Sequence, residues 1–317
     1  PAADCSRIPS NSMSEFDHDK TPRLPAAELL RREEESFRFP LRVELGALSH
    51  PGKVRVRNED HYLALRLYRA RETLATNLPE GDLPAHTHQA GYVMVVADGI
   101  GGRSGGEHAS RRAIGALIDV ATRIPDWTLK LDDLIAGELM QRAEAYFGRV
   151  DAILEAEAAA DPALTGMGTT MTMVYLLDRD LLVAHVGDSR AYRFRDGALS
   201  RLTQDQTMAQ ALADAGVLAA EEVRSHRQRH ILTGALGAKS GVPRVELGRH
   251  DLQDGDRVLV ASDGLTEMVT DEGIAEILRR ESDPTAACAA LVAAALDRGG
   301  TDNVTVVVAD CRLRTEA

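Results

Sequence analysis

Apolar positions along the chain change rhythm several times, and each change marks a predicted element. Leu41-Arg-Val-Glu-Leu45 alternates with a period of two, which predicts a half-buried strand. Ser49-His-Pro-Gly-Lys53 reads as a turn, and His61 to Tyr68 as a second alternating strand. Two prolines and Gly81-Asp82 make 69–90 an extended surface loop. Tyr92-Val-Met-Val-Val-Ala97 has no polar alternation, so it predicts a strand covered on both faces. Helices follow at Gly106 to Thr122 and at Leu131 to Ala160, the second stopped by Asp161-Pro162. Met171 to Leu177, Leu181 to Val186 and Arg190 to Phe194, joined through Asp178-Arg-Asp180 and ending at Asp196-Gly197, predict an antiparallel meander. Beyond it lie a short helix at 206–215, strands at 243–248 and 257–261, helices at 271–280 and 284–296, and a strand at 304–309. Strands come in hairpin-like clusters with helices in pairs between them, the α+β pattern.

Composition narrows this picture in a few places. With 317 residues, 44% of them hydrophobic, the chain is long enough for one large core, and no apolar run reaches membrane-spanning length. The net charge of −12 argues against nucleic-acid partners. Cys5, Cys288 and Cys311 make neither a disulfide framework nor a zinc spacing, so a reducing cytoplasm is expected. Residues 1–40 are polar and read as a mobile arm, the first 12 as an added leader before Met13, and 41–313 as one domain.

The chemistry lies where the apolar runs stop. Tyr92 to Ala97 ends in Asp98-Gly99, Leu259 to Ser262 in Asp263-Gly264, and Val183 to Gly187 in Asp188-Ser189. Asp302-Asn303 precedes Val304 to Val308. Repeated delivery of carboxylates to rigid strand ends suits a hard divalent cation bound by oxygen alone. Gly99 allows close backbone approach, so its carbonyl is a further candidate ligand. Arg55, four residues before Glu59, is placed to grip phosphate oxygens.

Other motifs along the chain fit less well. Gly102-Arg-Ser104-Gly-Gly106 fits a nucleophile elbow formally, but Ser104 lies six residues past the strand-ending Asp98. The same glycines miss the third position of a dinucleotide loop. His86-x-His88 lacks a third ligand nearby, and His185 reads as a hydrogen-bonded core histidine.

Arg55-x-x-Asn58-Glu59-Asp60, Ala97-Asp98-Gly99-Ile100-Gly-Gly102, Gly168-Thr169-Thr170, Gly187-Asp188-Ser189-Arg190, Ser262-Asp263-Gly264-Leu265 and Asp302-Asn303-Val304-Thr305 occur in one order. In this the chain resembles the bacterial form of the metal-dependent protein phosphatases of type 2C, the PPM family, over roughly 44–310. The resemblance implies two central antiparallel sheets between helix pairs, a four-layer αββα fold. It implies hydrolysis of phosphoserine and phosphothreonine in proteins by water activated at two Mn²⁺ or Mg²⁺ ions, in signalling by a Ser/Thr kinase, with no membrane or nucleic-acid partner. Asp98 would bridge both metals, with Asp263 and Asp302 completing one shell and Glu59 and the Gly99 carbonyl the other. Asp188, with Asp263, would contribute to a third, weaker site. Asp60 would hold a water, Asn303 would orient the Asp302 loop, and Arg55 would bind the substrate phosphate. Ile100 stands where animal members carry a histidine, and Asp205-Gln206 where Asp-His is usual, so neither histidine role is available. The residues 206–229 correspond to the variable flap beside the site. The contrary possibility is a silent binding module of the same fold.

Overall fold

The structure, a computed structural model, describes residues 40–72, 86–101, 105–122, 133–238 and 243–313. These fall within one compact unit, Phe39–Ala317. The N-terminal arm, Gly102 to Ser104 and the tip of the 69–90 segment lie outside the described residues, as do the side chains of His86 and His88.

Two antiparallel sheets form the centre. Sheet A has the order β1 (Leu41–His50), β11 (Val304–Leu313), β10 (Arg257–Ala261), β7 (Arg190–Arg195), β8 (Ala198–Arg201). Sheet B has the order β2 (Asp60–Glu72), β3 (His86–Ile100), β5 (Met171–Leu177), β6 (Asp180–Val186), β9 (Glu246–Asp251), with the short β4 (Gly168–Thr169) paired to the end of β3. Helices α1 (Gly105–Thr122) and α2 (Asp133–Ala160) cover one sheet, and α5 (Asp271–Arg280) and α6 (Pro284–Asp297) the other. Between them lie α3 (Met208–Asp214) and α4 (Asp263–Thr266).

The uninterrupted apolar strands now have a physical cause. In β3, Tyr92, Met94 and Val96 pack between the sheets, while Val95 and Ala97 face α1 and α2. In β11, Val307, Ala309 and Cys311 face the other sheet, while Val304, Val306 and Val308 face α5 and α6. Each inner strand is covered on both sides, so polar alternation has no place there.

Two predictions need correction, and both concern edges. The 69–90 segment is not all loop: β2 runs on to Glu72, and β3 begins at His86, paired from Glu72↔His86 to Asp60↔Asp98. The strand expected at 243–248 is β9, three residues later, paired with β6 from Asp180↔Asp251 to His185↔Glu246. β2 and β9 are the edge strands of sheet B. Edge strands tolerate charge, as in Arg69, Arg71 and Arg249, and Pro243 cannot donate to a ladder, so the apolar pattern misplaces their ends.

Candidate metal centre

The strand ends that carry Asp60, Asp98, Asp188, Asp263 and Asp302 open on the same side of the two sheets. Asp60 begins β2 directly across from Asp98 near the end of β3. Asp98 is held by its backbone, which donates to Thr170 Oγ1 at 3.1 Å, while its carbonyl accepts from Thr170 N at 2.9 Å and Thr169 Oγ1 at 2.8 Å. Gly99 N donates to the Glu59 carbonyl at 3.2 Å, joining the two strand ends again. Asp263 opens α4 straight from the end of β10, and Asp302 immediately precedes β11. Asp188 sits in the turn between β6 and β7, beside Gly187 at φ +113, a conformation that favours glycine.

These carboxylates act on one another. Burial pushes Asp98 well above the usual range, and Asp60, Asp263, Asp188 and Asp302 push it further. Asp263 is raised by burial and then by Asp188, Asp302 and Asp60. Burial lifts Asp188 to about 7 and Asp60 to about 6, and raises Glu59 as well. The strain is that of like charges gathered with too little positive charge between them. Two oxygens within it, Asp60 Oδ1 and Asp263 Oδ1, are buried and have no hydrogen-bond partner among the described residues. An all-oxygen donor set, mutual repulsion and orphaned carboxylate oxygens fit a hard cation. Among the described residues, however, no three acids are drawn together as a finished ligand shell. Instead Arg55 Nη2 donates to Asp302 Oδ2 at 2.7 Å, in an ion pair. A guanidinium thus supplies part of the missing positive charge.

The acidic rim rests on neutral polar groups that the sequence pattern did not single out. Ser262 Oγ donates to Asp60 Oδ2 at 2.7 Å and accepts from Thr305 N at 3.0 Å. Thr305 Oγ1 lies 2.7 Å from Ser49 Oγ, which accepts from Asn58 Nδ2 at 2.7 Å. Ser110 Oγ, buried on α1, donates to the Glu59 carbonyl at 2.5 Å. The available signal was a hydroxyl residue within two of the acid motifs, Ser262-Asp263 and Asp302-Asn303-Val304-Thr305. Asn303 does more than steady Asp302, whose Oδ1 accepts its N–H at 2.9 Å. Its Oδ1 accepts from Glu59 N at 2.8 Å, and its Nδ2 donates to the carbonyls of Pro51 and Arg57. One side chain therefore fastens the Arg55 loop to β11.

Gln206, found where a histidine was usual, takes a structural part. It accepts from Gly187 N at 3.2 Å and donates to the Arg244 carbonyl at 2.9 Å, steadying the Asp188 turn. Asp205 receives both Arg190, at 2.9 and 2.6 Å, and Arg201. His185 is a core histidine, hydrogen-bonded to Thr172 Oγ1 and the Gln204 carbonyl, with burial pushing its pKa down to about 4. The flap is tied to the helix that starts with Asp263: Arg224 donates to the Thr266 carbonyl and Arg229 to Glu267 Oε2.

The acid cluster sets a pH dependence. The folded chain holds protons on Asp60 and Asp188 that the unfolded chain has released, so their contribution is complete below about pH 4 and lost as pH rises through about 6 to 7. With a chelator present, the melting temperature should fall between about pH 5 and pH 8. A divalent cation should flatten that slope. An unchanged slope on adding cation would mean that the acids do not bind it.

Comparison with known proteins bears on the whole arrangement. A family model described as protein phosphatase 2C matches residues 70–298. That span takes in Asp98, Asp188 and Asp263 and stops short of Glu59 and Asp302. The serine/threonine protein phosphatase PstP of Mycobacterium tuberculosis is 38% identical over 218 residues, 69% of this chain and 40% of that protein's length. The chain therefore spans less than half of that relative. Protein phosphatase PhpP of Streptococcus pneumoniae is 30% identical over 232 residues, 70% of this chain and 87% of PhpP. The crystal structure of the PstP catalytic domain in complex with two manganese ions matches at a TM-score of 0.66 and 32% identity, over 86% of this chain and 99% of that one.

Proposed function

Because the chain belongs to the protein phosphatase 2C family, we propose that it is a metal-dependent phosphatase of phosphoserine and phosphothreonine in proteins. The observation that carries this reading is the gathering of Asp60, Asp98, Asp188, Asp263 and Asp302 from separate strand ends, mutually strained, with an arginine at their rim. Asp98 would bridge two ions, with Asp263 and Asp302 on one, and Glu59 and the Gly99 carbonyl on the other. Asp188 and Asp263 would serve a third. Manganese or magnesium there would supply the Lewis acidity that lets water attack phosphorus at neutral pH. Asp60, with Oδ2 fixed by Ser262, would orient that water through Oδ1. Arg55 would leave Asp302 and hold the phosphate oxygens, a role suited to a half-exposed planar guanidinium on a fastened loop. With Ile100 where a histidine stands in animal members, the leaving oxygen would take its proton from water.

The protein partners would be substrates of a Ser/Thr kinase, met in the cytoplasm. No helix among the described residues is long and apolar enough to cross a membrane. The catalytic domain would be 41–313.

Hydrolysis of p-nitrophenyl phosphate and of a phosphothreonine peptide, with Mn²⁺, Mg²⁺ or EDTA, tests the reading. Turnover with metal and none with EDTA is expected. A folded protein inert under every metal would instead favour a silent binding module. Arg55→Ala should raise KM about tenfold with a smaller change in kcat, since it removes one charged grip on the phosphate. A selective fall in kcat, read from initial rates, would move Arg55 out of ground-state binding.

A further inference from the structure

At the end of sheet A away from the acids, a pocket of about 320 Å³ is lined by Phe194, Arg257, Leu278, Arg279, Asp310 and Arg312, with Ser282 and two turn glycines. Arg257 begins β10, and Asp263 follows that strand's other end. At about 3.3 Å per residue, roughly 20 Å separate the pocket from the acidic cluster. Three guanidiniums against one carboxylate leave two positive charges in a chain whose net charge is −12. Arg42 and Glu44, across from Arg312 and Asp310 on β1, offset each other.

Arg257 is 8% exposed and only partly satisfied. Its Nε donates to Asp310 Oδ1 at 2.6 Å, and its Nη1 to the Leu278 and Glu281 carbonyls at the end of α5. Its Nη2 is buried and, among the described residues, has no partner. A buried charged donor without an acceptor is costly, and a ligand oxygen met by a turn of the guanidinium would relieve that cost. Arg279 Nη2 donates to the Gly197 carbonyl at 2.7 Å, holding the wall between α5 and the β7–β8 turn. Phe194 and Leu278 add an apolar surface.

We propose that this pocket is a second anion site, separate from the acidic centre, that binds a phosphate group as the free ion or as a small ester. Two guanidiniums beyond the Arg257–Asp310 pair match a dianion, and guanidinium forks match its oxygens. The inference does not depend on the chain being a phosphatase, and its test involves no turnover.

Inorganic phosphate and phenyl phosphate would be titrated calorimetrically into the full chain in chelator, for wild type, Arg312→Glu and Arg55→Ala. Without a cation Arg55 stays paired with Asp302, so wild type and Arg55→Ala should bind alike, and Arg312→Glu at least about tenfold more weakly. Arg312 is exposed at the end of its strand, so the variant should fold; Arg279→Glu, on the opposite wall, gives an independent second test. Tighter binding of phenyl phosphate would identify an ester as the ligand, and equal binding the free ion. No binding by wild type would overturn the proposal, as would loss in Arg55→Ala alone or full binding by both charge-reversed variants.

Discussion

Replacing Asp98 by Asn should lower metal-dependent turnover by about three orders of magnitude and raise the melting temperature of the chelated protein. Both effects have one cause. Asp98 is the acid whose pKa is lifted by burial and by Asp60, Asp263, Asp188 and Asp302 together, so its charge is a liability until a cation neutralises it. An amide of the same shape removes the repulsion and also a ligand, and loss of metal chemistry costs several kcal/mol of transition-state stabilisation, or about a thousandfold in rate. The two readouts, turnover and chelated melting temperature, move in opposite directions, which a merely misfolded variant cannot reproduce. Turnover within tenfold of wild type would sink the bridging assignment.

Gly99→Ala should be among the most damaging single methyls near the site. A Cβ at Gly99 would lie 2.1 Å from the Gly106 carbonyl oxygen and 2.8 Å from that of Glu59. None of these neighbours is a flexible side-chain end; they are the start of α1 and the end of the Glu59 segment. The overpacking should cost about 3 kcal/mol, lowering the melting temperature by roughly 10 °C, and turnover should fall with it because β3 and α1 part where the acids converge. Gly115→Ala is the control, since a Cβ there meets nothing within 4 Å and α1 should gain by about 1 kcal/mol. Equal melting temperatures for the two variants in calorimetry would show that the Gly99 contact relaxes freely.

Particular residues show how much of this was legible in the sequence. The positions of Asp98, Asp188, Asp263 and Asp302 could be read because each stands at the end of an apolar run, and apolar runs mark strands covered on both faces. The fold class followed from the same runs. What could not be read depends on partners distant in sequence. Asn303 looked like a neighbour of Asp302, yet its side chain reaches Pro51, Arg57 and Glu59. Ser262, Thr305 and Ser49 form a polar support under Asp60 whose long-range pairing no local pattern announces. The Arg55–Asp302 contact joins residues 247 apart. Charged edge strands defeated the periodicity at β2 and β9, because one side of an edge strand has no neighbour to exclude charge.

The place of β11 has a consequence for synthesis. Of the described strands it is made last, yet it lies between β1 and β10, and Asp302 precedes it directly. Until it leaves the ribosome, β1 lacks its described sheet partner and the acidic cluster lacks a member. Pairing across nearly the whole chain is slow and comes late. A nascent chain should therefore be inert toward phosphate esters, and a chain interrupted before Asp302 should be recognised as unfolded rather than persist as a partial enzyme.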